Sequence, residues 1–98
     1  MKGFLPAPAA TLTGVRWFGL DLAKRESQLA VLDEKGLLVA QKRFATTREN
    51  LLALASELRA EDTIALEVTT NATAIARLLR NNSPAKLIMS NPIKTKLI

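Results

Sequence analysis

Asp21 and Glu67 are the two side chains whose type and setting point most directly to chemistry. Each stands at or near the end of a short apolar run, Val15 to Leu22 for the first and Thr63 to Val68 for the second. A charge at the carboxyl end of a buried strand is unusual, and ligands of α/β sheets gather at that edge. The sequence contains neither His nor Cys. Disulfides, thiolate nucleophiles, zinc sites built on Cys or His, and imidazole acid–base catalysis are therefore excluded. Two carboxylates held close repel each other unless a proton or a cation lies between them. The occupant that suits them here is a hard divalent cation, Mg²⁺ or Mn²⁺, which takes carboxylate oxygens together with water and substrate phosphate. Two such ions clamp the attacking and leaving oxygens of a phosphodiester. The alternative is that each acid only caps the turn or helix after it. The two readings separate on whether the strands are neighbours.

The elements that must position these acids follow from hydrophobic period. Val15-Arg16-Trp17-Phe18-Gly19-Leu20-Asp21-Leu22 is apolar except at Arg16 and Asp21, which predicts a central strand covered on both faces, with Trp17 in the core. Val15, Trp17, Gly19 and Asp21 share one of those faces. Gln28 to Leu32 and Leu37 to Phe44 predict two further strands, joined by Asp33-Glu34-Lys35-Gly36 as a hairpin turn with a left-handed glycine. Thr46-Thr47-Arg48-Glu49 has the spacing of a capping box, and Leu51, Leu54, Ala55 and Leu58 continue it as an amphipathic helix. Thr63 to Val68 is the fourth strand. A second helix from near Asn71 carries Ile75, Leu78 and Leu79 as its stripe and stops at Asn81, Asn82 and Pro84. Lys86 to Ser90 is a fifth short strand, broken by Asn91-Pro92. A meander followed by alternating helices and strands implies a mixed sheet.

Bulk properties bound the rest. The 98 residues are enough for one domain or a fragment of one. Met1 to Gly14, with Pro6 and Pro8 interrupting an alanine-rich run, is expected to be a mobile leader rather than a secretory signal or a membrane span. A cytoplasmic location follows as the default. Fourteen Lys and Arg against nine Asp and Glu give a net charge of +5, which favours a polyanionic partner. A generic basic surface explains the same balance.

Taken in order, several short motifs resemble the insertion sequence 110 family of transposases. They are Phe18-Gly19-Leu20-Asp21-Leu22-Ala23-Lys24, then Leu29-Ala30-Val31-Leu32-Asp33 with Gly36. Phe44 with Thr46-Thr47 and Asn50-Leu51 follows, then Ala65-Leu66-Glu67 with Thr69, then Asn91-Pro92 with Lys94. The similarity runs from about Val15 to Ile98. It implies a ribonuclease H-like (RuvC-like) fold over residues 15–98, with four acids in the order Asp, Glu, Asp, Asp. Asp21 would be the first and Glu67 the second, both catalytic and both metal-binding through Mg²⁺ or Mn²⁺. The implied partners are DNA and a structured guide RNA, and the implied reaction is DNA cleavage and strand exchange during transposition. Two departures accompany the likeness. The family's Lys-x-Asp-x-x-Asp pattern would follow Asn-Pro, and the sequence reaches Ile98 without it. Where the family has Thr-Gly-x-Tyr, this chain has Thr69-Thr70-Asn71-Ala72. The expectation is thus a truncated domain that binds metal weakly and is inactive alone, its parent being the enzyme.

Lys24, Arg25, Lys94 and Lys96 are the candidate nucleic-acid contacts, although a solvated basic face explains them as well. Two further readings stand beside the transposase. One is a non-catalytic module that binds nucleic acid or forms a homo-oligomer through an exposed sheet edge and apolar face. The other is part of an actin-like sugar kinase or ATPase, which also opens on Gly-x-Asp before a hairpin. Leu22-Ala23-Lys24 lacks the small residues and Thr that such a phosphate site places after its Asp.

Overall fold

Side-chain alternation lays down the strands. A computed structural model describes residues 3–67 and 72–90 of the chain. In strand β1 (Trp17–Asp21), Phe18 and Leu20 are buried while Trp17 and Asp21 are exposed. Strand β2 (Glu26–Leu32) buries Ser27, Leu29 and Val31, and strand β3 (Leu38–Ala45) buries Phe44. Asp33 organises the turn between them. Its carboxylate accepts from the amides of Lys35 and Leu37, at 2.9 and 3.0 Å. Gly36 takes φ 84°, a conformation that costs a side-chain-bearing residue energy and glycine little. The expected hairpin is therefore present.

Helix α2 (Arg48–Glu57) starts one residue later than the expected capping box. Thr47 is its cap, accepting from the Asn50 amide at 3.1 Å. Thr46 is diverted to the sheet, its hydroxyl 2.6 Å from that of Ser27. Leu51, Leu54 and Ala55 are buried along this helix, as their spacing predicts. Strand β4 (Thr63–Glu67) leads by way of residues 68–71 to helix α3 (Ala72–Asn82) and then to strand β5 (Lys86–Ser90). The buried stripe of α3 is Ala72, Ala76 and Leu79, with Ile75 and Leu78 only half-buried. Two of its three buried residues are thus alanines, and only Leu79 of the expected stripe is fully inward.

The five strands form one mixed sheet in the order β3-β2-β1-β4-β5. Strands β1 to β3 are antiparallel neighbours, while β4 pairs parallel with both β1 and β5. One sheet face, carrying Phe18, Leu20, Leu29, Val31, Ile64 and Leu66, forms the core with Leu51, Leu54, Ala76 and Leu79 from the helices. The opposite face has no helix on it among the described residues. Trp17 lies there at 41% exposure with Ile88 at 40%, so β1 is covered on one side and Trp17 is outside the core. This corrects the expectation of a strand buried on both faces. An apolar run alone does not tell whether a second layer exists.

The opening segment, expected as a mobile leader, lies against the body. It includes a single helical turn, α1 (Ala7–Ala10), and buries Leu5 and Ala9 in the core cluster. Phe4 meets Phe44 edge-on with ring centroids 5.1 Å apart. The Glu57 carboxylate accepts from the amides of Phe4 and Leu5. No helix among the described residues is long and apolar enough to cross a membrane.

A buried ion pair fastens these parts together. Arg16 is 1% exposed and Asp62 0%. Arg16 donates through Nε and Nη2 to the two Asp62 oxygens at 2.9 and 2.6 Å. Nη1 and Nη2 donate further to the carbonyls of Ala9 and Glu57, each at 3.0 Å. Removing one partner strands the other charge in a dry site. Asp62→Ala should lower stability by about 3–5 kcal/mol in denaturant unfolding, and Arg16→Met with Asp62→Leu should recover most of it. Thr47→Ala should cost about 1 kcal/mol by the same measurement, through loss of the cap.

Candidate functional site

The parallel register between β1 and β4 pairs Gly19 with Ala65 and Leu20 with Leu66. Asp21 and Glu67 follow at the carboxyl edge, one residue beyond the last registered pair, and both line one depression. Both are exposed, and both belong to the open face of the sheet. The alternation that buries Phe18, Leu20, Ile64 and Leu66 on one side sends Gly19, Asp21, Ala65 and Glu67 to the other. The neighbourhood on which the metal reading depended is thereby present.

Between the acids and the middle of the sheet lies a shallow trough of about 360 Å³. Gly19, Ala30 and Ala65 form its floor, and Asp21, Gln28 and Glu67 its rim. Three adjacent strands place a hydrogen or a methyl at one level, because Gly19 pairs with Ala30 across β2 and with Ala65 across β4. Larger side chains there would fill the depression. Gln28 lies directly opposite Asp21 and adds a neutral amide to the rim. Among the described residues neither acid is in an ion pair; the two salt bridges are Arg16–Asp62 and Arg43–Glu26.

Hard oxygen donors on adjacent strands fit a divalent cation chemically. The donor set is nonetheless short. No group of three or more metal-ligating side chains occurs among the described residues. Asp21 and Glu67 would supply two ligands, with water and a ligand phosphate completing the shell.

Lys24 and Arg25, the other candidates within the described residues, sit exposed in the turn between β1 and β2. Arg25 is fixed by its carbonyl, which accepts from the Thr46 amide at 2.9 Å. Lys94 and Lys96 lie outside the described residues, as do Thr69 and the Asn91-Pro92 motif. The sequence reading missed the small-residue floor and the place of Gln28. The signal was available, since Gly19 and Ala65 share a face with the acids by simple alternation. What was lacking was the strand pairing that aligns them.

Neither a protein-family model nor a curated protein sequence matches the chain. Solved structures do resemble it. One is a Bacteroides thetaiotaomicron protein with an actin-like ATPase fold and unknown function, at 12% identity and a TM-score of 0.62. Another is the ethanolamine utilization protein EutJ from Carboxydothermus hydrogenoformans, at 15% identity and a TM-score of 0.50. The fold is actin-like. The chain is covered to 89% and 82% in these two comparisons and spans 38% of each neighbour's length. The expected ribonuclease H-like fold is corrected accordingly, although the mixed α/β sheet of that expectation is present. The physical reason is that both expectations opened on the same features, a Gly-x-Asp strand and a hairpin. Those features do not distinguish them, and the superposition of whole elements in space does.

The paired acids make a direct prediction for metal binding. Titrating Mn²⁺ should broaden the amide NMR signals of Asp21, Gln28 and Glu67 before others, with an apparent Kd of about 1 mM or weaker for so few ligands. Asp21→Asn with Glu67→Gln should abolish that selectivity. Uniform broadening over all exposed carboxylates in the unsubstituted chain would show that the pair is no site.

Proposed function

We propose that this chain contributes two metal-binding carboxylates, Asp21 and Glu67, to a site acting on phosphodiesters, as a front part of a DNA transposase or recombinase. The observation that supports the reading is that Asp21 and Glu67, at the ends of parallel neighbouring strands, line one trough with Gly19, Ala30 and Ala65. Their order and the segments Gly19-Leu20-Asp21 and Ala65-Leu66-Glu67 resemble the transposase motifs. The net charge of +5 supports a DNA partner, and a structured guide RNA remains part of the proposal.

In this reading Asp21 and Glu67 hold Mg²⁺ or Mn²⁺, which supplies charge stabilisation at a phosphate oxygen. Gln28 orients a phosphate or water by hydrogen bonding at the rim. Gly19, Ala30 and Ala65 keep the approach low enough for a backbone to come close. Lys24 and Arg25 hold the flanking phosphates without reading sequence. With two protein ligands the site is incomplete, so the reaction belongs to the parent protein, in the cytoplasm. A homo-oligomer formed through the open sheet face is a non-catalytic alternative, and the exposed Trp17 and Ile88 favour it.

A nucleotide-binding reading is favoured by one observation, the likeness to an actin-like ATPase fold. Thermal shift assays separate it from the first. Mg²⁺ with duplex DNA should raise the melting temperature, and the Asp21→Asn, Glu67→Gln variant should lose the Mg²⁺-dependent part. A rise with Mg²⁺-ATP and none with DNA would favour the nucleotide reading. In the complete parent protein, either substitution should reduce DNA strand exchange by at least ~10³-fold, and retained exchange would refute the assignment.

A further inference from the structure

On the helical side of the sheet, the amino end of α2 and the outer side of α3 enclose a groove of about 480 Å³. Arg48 and Arg77 line it, with Asn81, Asn82, Thr46 and Thr47 among its polar groups. Its lining contains no carboxylate. All nine Asp and Glu side chains of the sequence fall among the described residues, and neither Arg48 nor Arg77 forms a salt bridge with any of them. Two exposed guanidinium groups thus flank a cleft that offers donors and no counter-charge. Glu49 is on the first turn of α2 but does not line the groove, and Glu26 is paired with Arg43 at 3.6 Å.

The groove is also joined to the edge that holds the acid pair. Thr46, at its mouth, donates its amide to the Arg25 carbonyl, so the turn carrying Lys24 and Arg25 abuts the groove. Lys24 and Arg25 thus stand on a turn bonded to a residue of the groove's lining, and Arg48 and Arg77 belong to the lining itself. A compact anion needs one focus of charge. Cations contributed by the turn and by both helices fit a polymer that carries many charges. Forked guanidinium donors suit phosphate oxygens in particular.

We infer that the α2–α3 groove, entered from the β1–β2 turn, is a track for the phosphodiester backbone of a nucleic acid. This rests on the nucleic-acid reading above and names a surface for it separate from the acid pair. Arg48 and Arg77 contact phosphates, Thr47 and Asn81 donate to the same oxygens, and the half-buried Ile75 and Leu78 lie beneath the sugars. Contacts of this kind set affinity and register and carry no base specificity.

The test is fluorescence anisotropy of the 98-residue chain with a labelled duplex of about 20 base pairs over a range of salt concentrations. Arg48→Gln with Arg77→Gln should weaken binding by about tenfold or more at low salt and flatten the log–log salt slope by about 2. Arg48→Lys with Arg77→Lys keeps the charge and should retain most of the affinity. Lys35→Gln with Lys86→Gln removes the same net charge at the hairpin turn and the far edge strand, and should change binding little. Circular dichroism confirms that each variant is folded. If the two Gln pairs weaken binding equally, the attraction is diffuse and the track is refuted. If the Arg pair has no effect while the unsubstituted chain binds, the track is refuted and the nucleic-acid reading stands. Preference for polyglutamate over DNA would assign the groove to an acidic protein partner and overturn the inference. No binding of DNA by the unsubstituted chain overturns both readings together.

Discussion

Arg16 and Asp62 are 46 residues apart in sequence and hydrogen-bonded through two oxygens in a site with almost no access to water. The pair sits where four parts of the chain meet: the opening segment through Ala9, the end of α2 through Glu57, the start of β1 and the turn before β4. Desolvating two charges is expensive, and the geometry offsets it by satisfying Arg16 Nε, Nη1 and Nη2 together. Asp62 also accepts from the Arg59 amide at 2.6 Å, and its own carbonyl accepts from Lys86 as β5 begins. The backbone links continue through the Arg16 carbonyl, which accepts from the Thr63 amide at 3.1 Å. The pair therefore starts the β1–β4 and β4–β5 pairings at a defined level. A slip of one residue there would turn Ile64 and Leu66 outward and leave Arg16 without its partner.

That level decides what happens at the other end of the sheet. With Trp17 against Thr63, the strands run in step to Leu20 and Leu66, and the acids come out as neighbours. The same register brings Gly19, Ala30 and Ala65 into one row, which makes a floor of atoms too small to fill the space. An interaction at the amino end of β1 thus fixes the geometry of a trough at its carboxyl end, some four residues away.

The molecule presents two differently charged surfaces from one set of elements. The open face of the sheet carries the acids above an apolar middle, and the helical side carries Arg48 and Arg77 without counter-charge. They are linked at the β1–β2 turn by the bond between Thr46 and Arg25. Thr46 is available for this because Thr47 takes over the cap of α2, while the Thr46 hydroxyl meets Ser27 on β2. A choice between two adjacent threonines therefore joins helix, strand and turn.

Local order was legible in the sequence because it rests on short-range rules. Alternation in Trp17–Asp21 and Thr63–Glu67, the Asp33–Gly36 turn, the Leu51, Leu54 and Ala55 spacing and the bounds of β5 need only neighbouring residues to be understood. Asp21 and Glu67 stood out for the same reason, as charges at the ends of apolar runs. Their adjacency did not, since strand pairing is a long-range choice that no local pattern encodes. The partner of Arg16 was hidden likewise, and so was the cover over β1, because one layer and two layers both select apolar strands. Trp17 was misplaced on that account. The fold itself was decided only in three dimensions: a Gly-x-Asp strand before a hairpin serves more than one architecture, and the placing of helices around the sheet separates them.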